Sequence, residues 1–366
     1  MPKPINSSLS RRTILKSLAA LGVSYSVMPV FSNPAKAANE VHYHTWSGYD
    51  SKELLKPYID KYGGMPEVSH IASEEESFTK MKTGWAPDLI HPGNYNVRKF
   101  LDAGLIKPID TSRLKNWENI IESVRKDDSC FMDGAQYMIP TEYGNSSIIY
   151  RKDLVDKSFA ENPSWAILYD EKYKGRLANY ETAAAVVQCA ALVLGYENIY
   201  DLTDEQLAEV KKLASKQRDM LRMYWSDATQ LEQAMASGEV VAAYGWNASL
   251  VNLKKQGVDV EMAVPKERMF TWIAGFTMHK NVKNEDAAYD LIDAWSSAES
   301  GAWLMENYGY GSTNLKAYEK ADAKKLADLG ISDPVAVLSN SLFFKSLDPA
   351  VEKKYQTLFA DVQAGG

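Results

Sequence analysis

Three kinds of residue in this 366-residue chain could do chemistry. His42 and His44 form a His-x-His pair, and on a strand that spacing points both imidazoles to one face. Two ring nitrogens could begin a metal site, but no third ligand stands at a suitable spacing, and two histidines paired within a lobe fit as well. Trp46-Ser47-Gly48-Tyr49 sets two large aromatics around a Ser-Gly pair, where a first strand hands over to a first helix. In open α/β sheets ligands sit beyond the carboxyl ends of strands, so these rings suit a ligand wall as readily as a core. Carboxylates are abundant, yet nothing in the sequence sets two of them at a catalytic separation. Enzyme signatures are also lacking: there is no G-x-S-x-G, no phosphate-binding G-x-x-x-x-G-K, no H-E-x-x-H and no C-x-x-C.

The aromatics carry more information. Trp46, Tyr49, Tyr95, Tyr143, Trp246, Trp272 and Tyr310 all fall at strand ends or in the loops just beyond them. Core aromatics belong instead inside periodic runs. Together these rings suggest an aromatic-lined cleft, suited to cations through cation–π attraction worth up to ~2 kcal/mol each when desolvated. Such cages also suit sugars or apolar amines.

The elements that must position these residues alternate between strand and helix. Val41 to Trp46 reads as a strand and Ser51 to Tyr62 as a helix, with Leu54, Leu55, Tyr58 and Ile59 on one face. Glu67 to Ile71 is a short strand, and Ser73 opens a helix whose first turn carries Glu74, Glu75 and Glu76, where acids complement the helix dipole. Pro87 to Pro92 is a strand closed by Pro92-Gly93, and Asn94 caps the helix that follows. This order implies a largely parallel sheet with covered faces. Further on, Tyr137–Pro140 and Ser146–Tyr150 read as two short strands separated by a loop, Thr141-Glu142-Tyr143-Gly144-Asn145. A second α/β lobe follows: a helix from Ala183 to Leu194, an amphipathic helix from Asp204 to Met223, and strands at Val240–Tyr244 and Val258–Val264. A strand from Thr271 to Met278 suggests that the chain returns to the first lobe. Two lobes joined by several crossovers leave a cleft that closes by hinge motion.

Residues 1–37 read as a targeting segment. Lys3, Arg11, Arg12, Lys16 and Lys36 stand there without an acid, an apolar run spans Leu18 to Phe31, and Ala35-Lys36-Ala37 gives a small-x-small cleavage pattern. Ser10-Arg11-Arg12-Thr13-Ile14-Leu15-Lys16 resembles the twin-arginine export signal, which points to a bacterial chain cut near Ala37 and working in the periplasm. With those five cations removed, 36 remain against 48 acids, a net charge near −12. That balance argues against nucleic acid or anionic membrane as partners. The remaining ~329 residues are ample for two lobes with separate cores. Cys130, in a polar stretch, and Cys189, in an Ala/Val-rich helix, permit one disulfide, although a buried thiol at Cys189 is the simpler expectation.

Over residues 40–366 the chain resembles the spermidine- and putrescine-binding proteins of ABC importers. The resemblance is carried by Thr45-Trp46-Ser47-Gly48-Tyr49, Asp88-Leu89-Ile90-His91-Pro92-Gly93-Asn94-Tyr95, Gly245-Trp246-Asn247, Phe270-Thr271-Trp272 and Gly309-Tyr310-Gly311-Ser312-Thr313-Asn314, in that order and spacing. It implies a two-lobed α/β periplasmic binding fold, with one lobe from 38–144 plus about 273–313 and the other from about 145–272 plus 314–366. It also implies a membrane permease as partner, a monomer, no cofactor and no catalysis. Trp46, Tyr49, Tyr95, Trp246, Trp272 and Tyr310 match positions that enclose the ligand's methylene chain. The family's ammonium-binding acids do not match, for their places hold Gly48, Thr182, Ala185 and Ala274. Glu142, Glu181 and Asp227 are candidate substitutes, with Asn94, Tyr143 and Thr182 as further candidate ligand contacts. An ammonium buried without a carboxylate costs several kcal/mol. The expected solute is therefore a small cationic nitrogenous compound: a polyamine with other acids, a monoamine or a quaternary ammonium. A tyrosine-based ferric-ion binder and a twin-arginine-exported enzyme are the alternatives.

Overall fold

The computed structural model describes residues 41–339 and 341–365, so the expected export signal lies outside the described residues. Its strands run in chain order as β1 (His42–Thr45), β2 (Glu67–His70), β3 (Leu89–Ile90), β4 (Ile106–Lys107), β5 (Phe131–Met132), β6 (Ala135–Gln136) and β7 (Ile139–Arg151). After these come β8 (Leu177–Tyr180), β9 (Leu221–Trp225), β10 (Ala242–Trp246), β11 (Val260–Met262), β12 (Met269–His279), β13 (Gly311–Ser312) and β14 (Ser341–Phe343). The main path through the sheet is β2-β1-β3-β12-β7-β10-β8-β9. Strands β1, β2 and β3 are parallel, as are β10, β8 and β9, while β12 and β7 run antiparallel to each other at the centre.

Those two central strands tie the halves together. One buried core gathers Tyr43, Leu89, Phe100, Tyr143, Ile273, Phe276 and Trp295. The other gathers Ile148, Trp165, Val187, Trp225, Tyr244 and Phe270. Both β7 and β12 therefore leave one core and enter the other within a few residues of the Gly144–Trp272 pair. The helix Ala183–Val193 is apolar on all sides because it is wedged among the helices Asp204–Arg218 and Pro349–Gln363 and its own sheet. Among the described residues no helix is long and apolar enough to cross a membrane.

Three local expectations change. The stretch Thr141–Asn145 is the middle of one 13-residue strand and not a loop between two. Its polar residues stay in the ladder because partners lie within the sheet: Thr271 Oγ1 donates to Asn145 Oδ1 (2.7 Å), and the Asn145 N–H donates to Asn247 Oδ1 (2.6 Å). The helix expected over Asp204 to Met223 stops at Arg218, and Leu221–Trp225 forms the edge strand β9. The first helix begins at Lys56 rather than Ser51, after a turn. Cys130 is buried in the first core and Cys189 in the second, and both thiols are free.

Candidate functional site

The sheet register assembles the site. Residues paired directly across strands point to the same face. Glu142 pairs with Ala274 and Ser312, Gly144 with Trp272, and Ser146 with Phe270 on one side and Trp246 on the other. Along β7 these alternate positions share one face, so Glu142, Trp272 and Trp246 lie along it in that order. Four residues of strand separate the Glu142 row from the Trp246 row, ~13 Å.

Glycine makes room for the aromatics. A Cβ on Gly144 would stand 2.2 Å from Trp272 Cζ2, so only glycine lets the indole rest on β7. Gly309, at φ +70°, ends the helix Ala298–Tyr308 in a left-handed cap and turns Tyr310 toward Trp272. The two rings meet edge to face at 4.8 Å. Tyr310 in turn lies 6.3 Å from Tyr308, which stacks on Tyr49 at 5.9 Å. The result is a continuous wall, Tyr49–Tyr308–Tyr310–Trp272. At its head the Tyr49 N–H donates to the Trp46 carbonyl (3.1 Å), closing a turn in which Gly48 takes φ +92°. The Tyr308 hydroxyl donates to the Gly48 carbonyl (2.8 Å) and locks that turn to the wall.

Behind the wall is a carboxylate. Glu142 is wholly buried. Thr141 Oγ1 donates to its Oε2. Its Oε1 lies 2.9 Å from His91 Nε2, yet accepts no aligned hydrogen bond. His91 is packed between Phe276 (4.7 Å) and Trp295 (5.1 Å), with Tyr49 at 5.2 Å. The Tyr43 hydroxyl hydrogen-bonds His91 Nδ1 (2.8 Å), so the ring is held by Tyr43 on one side and faces Glu142 on the other. Burial, reinforced by the Glu142 charge, pushes the Tyr49 and Tyr310 hydroxyls well above the usual phenol range.

The other predicted residues divide. Trp246 joins a separate ring cluster with Tyr180 (5.0 Å) and Trp225 (4.9 Å) in the second lobe. Tyr95 contacts Phe344 at 5.9 Å, and burial raises its hydroxyl strongly, with charges at Glu74, Tyr180 and Tyr244 adding. Trp46 is half-buried against the first core. Asn94 is buried and satisfied: its Oδ1 accepts from the Ile273 N–H (3.2 Å) and its amide donates to the Phe344 carbonyl (2.8 Å). Tyr143 points to the opposite face of β7, where its hydroxyl meets that of Tyr318 at 3.1 Å. Thr182 caps the helix Ala183–Val193, accepting from the Ala185 N–H (3.2 Å), and Ala185 is buried beneath it. Asp227 is an exposed helix cap, accepting from the Thr229 N–H (2.8 Å). Glu181 is exposed and accepts from Gln363 Nε2 (3.2 Å).

Sequence reasoning missed Glu74 and His91. Glu74 accepts from the Gly93 N–H (2.6 Å) and from the Asn96 side chain, and it bonds the Tyr95 hydroxyl. Burial, opposed by those donors, pushes its carboxyl up to about 7. It thereby fastens the loop that presents Tyr95. Its place in the first turn of a helix gave a complete local reason for an acid and hid this longer reach. His42 and His44 are held elsewhere: His42 Nε2 lies 2.7 Å from Ser69 Oγ and His44 Nε2 2.8 Å from Ser77 Oγ, and both rings meet Trp85 edge to face. No cluster of three or more metal-ligating side chains occurs among the described residues. An open groove of about 500 Å³ outside the second lobe, lined by Asp204, Leu207, Lys211 and Lys353 among others, carries none of these rings.

A sequence model described as bacterial extracellular solute-binding protein matches residues 53–330. The chain belongs to that family. It is 26% identical over 361 residues to the spermidine/putrescine-binding periplasmic protein of Escherichia coli K12, covering 97% of this chain and 99% of that one. A putrescine/cadaverine-binding protein of Pseudomonas aeruginosa is 25% identical over 311 residues, covering 81% and 86%. Among solved structures, the spermidine/putrescine ABC transporter substrate-binding protein of Streptococcus pneumoniae superposes with a TM-score of 0.79 at 23% identity, covering 89% of this chain and 98% of that one. The fold is thus the two-lobed fold of solute-binding proteins, and the relatives are binding proteins of transport systems, not enzymes.

Proposed function

We propose that this solute-binding protein captures a small cationic nitrogenous solute in the periplasm and delivers it, as a monomer, to an ABC permease in the inner membrane. The observation that carries the reading is the Tyr49–Tyr308–Tyr310–Trp272 wall with a buried carboxylate behind it. Aromatic faces attract cations through their quadrupoles, and a buried negative charge adds to that pull. Relatives named for spermidine, putrescine and cadaverine, all of them amines, point to the same ligand class. The lobe bearing Tyr49 and Tyr310 forms one jaw and the lobe bearing Trp246 the other, with β7 and β12 as connectors near residues 144–145 and 271–273 and Trp272 at that crossover. Hinge closure about those strands brings Trp246 onto the ligand.

The test is a thermal-shift screen of residues 38–366 with tetramethylammonium, butylammonium, putrescine, spermidine, betaine and neutral sugars. A ligand at ~100 times its dissociation constant stabilises by ~2.7 kcal/mol. The reading expects cations to raise the melting temperature and sugars to leave it unchanged. A screen in which sugars shift melting and no cation does would overturn it.

A further inference from the structure

We propose that Glu142 is the single charge anchor of this site, so that its solute carries one ammonium group rather than two. The inference rests on the cation-binding reading above and narrows it. Among the described residues, only Glu142 is wholly buried and has a buried carboxylate oxygen without an aligned hydrogen bond. Buried polar atoms are almost always satisfied, and an orphaned carboxylate oxygen is the costliest kind to leave open. His91 stands beside it, with Nδ1 on the Tyr43 hydroxyl and Nε2 2.9 Å from Oε1, yet makes no aligned hydrogen bond to that oxygen. Oε1 is therefore left open within a buried strand, and the Glu142 carboxylate acts on the Tyr49 and Tyr310 hydroxyls of the proposed ligand wall.

The other candidate acids are engaged elsewhere. Glu74 accepts from Gly93 and Asn96 and bonds Tyr95. Asp227 and Glu181 are exposed and engaged with Thr229 and Gln363. Across the strand pair from Glu142 stands Ala274, with no charge to offer. A diamine seated on Glu142 would lay its second ammonium against aromatic faces and lose hydration without a carboxylate in return. A monoamine, or a quaternary ammonium with an uncharged tail, avoids that loss and still gains the rings.

The test compares two probes of equal length, butylammonium and putrescine, by calorimetry on the wild type, Glu142→Gln and the double variant Glu142→Gln/Ala274→Asp. The wild type is expected to bind butylammonium at least ~10-fold more tightly than putrescine, and Glu142→Gln to lose ~100-fold or more in butylammonium affinity. The ligand-free Glu142→Gln variant should melt no lower than the wild type, because it replaces a buried carboxylate whose Oε1 has no aligned hydrogen bond. The double variant, which returns one acid to the same face, should regain part of the lost affinity. Butylammonium bound equally well by Glu142→Gln, or putrescine bound more tightly than butylammonium by the wild type, would overturn the anchor and leave the cation reading standing. If Glu142→Gln melts lower and the double variant regains nothing, Glu142 is a structural acid and the proposal falls. If neither probe binds the wild type, the anchor falls together with the cation reading.

Discussion

Gly48 stands where the resemblance to polyamine binders leads one to expect an acid, and placing an acid there tests whether the turn can hold one. The substitution Gly48→Glu meets two obstacles. At φ +92° an L-residue is strained, at a cost of ~1–2 kcal/mol. Its Cβ would also stand 3.2 Å from the Tyr308 hydroxyl oxygen, which already donates to the Gly48 carbonyl. Moving Tyr308 aside forfeits that bond, ~1 kcal/mol. The sum, ~2–3 kcal/mol, corresponds to a fall in melting temperature of several degrees, at ~2–4 °C per kcal/mol for lobes of this size. Because Tyr308 stacks on Tyr49, the wall shifts as well, and amine binding weakens rather than improves. Differential scanning calorimetry and calorimetric titration with putrescine measure both effects. Gly48→Ala should show most of the strain cost, and Tyr308→Phe only the cost of the hydrogen bond. A Gly48→Glu protein that melts like the wild type and gains putrescine affinity would refute the reasoning, for the turn would then accept an acid freely.

Gly144→Ala places a methyl carbon 2.2 Å from Trp272 Cζ2, so it should lower stability by ~1–3 kcal/mol and weaken cation binding much as Trp272→Ala does. Denaturation and titration on the two variants check this. Glu74 titrates near 7 when folded against an ordinary value of 4.5, so the folded state holds the extra proton between those values and stability falls as pH rises from about 5 to about 7. In Glu74→Gln that contribution should vanish, leaving a flatter pH dependence of urea midpoints over the same window. Cys130 and Cys189 are fully buried free thiols whose pKa values burial raises, so a thiol reagent should label neither in the native protein and both in urea. Native labelling, or a failure to label in urea, would contradict this.

Some of the local structure around the candidate site could be read from residue type and position alone. Trp46-Ser47-Gly48-Tyr49 has the composition of a turn and forms one, and Gly309-Tyr310 ends a helix as a Gly-aromatic pair suggests. The acid behind the wall was harder to place. Thr141-Glu142-Tyr143-Gly144-Asn145 has loop composition, but Gly144 serves Trp272, Asn145 serves two neighbouring elements, and Glu142 faces His91 from a strand buried on both sides. Local propensity cannot register such long-range partners. Leu221–Trp225 was hidden for a related reason: helical periodicity carried past Arg218, while pairing with β8 made the segment a strand.

The most direct measurement is a crystal structure of residues 38–366 soaked with butylammonium. The account predicts the ammonium nitrogen within ~3 Å of Glu142 Oε1, with the alkyl chain against Tyr49, Tyr310 and Trp272. An ammonium held away from Glu142, or outside the aromatic wall altogether, would contradict it.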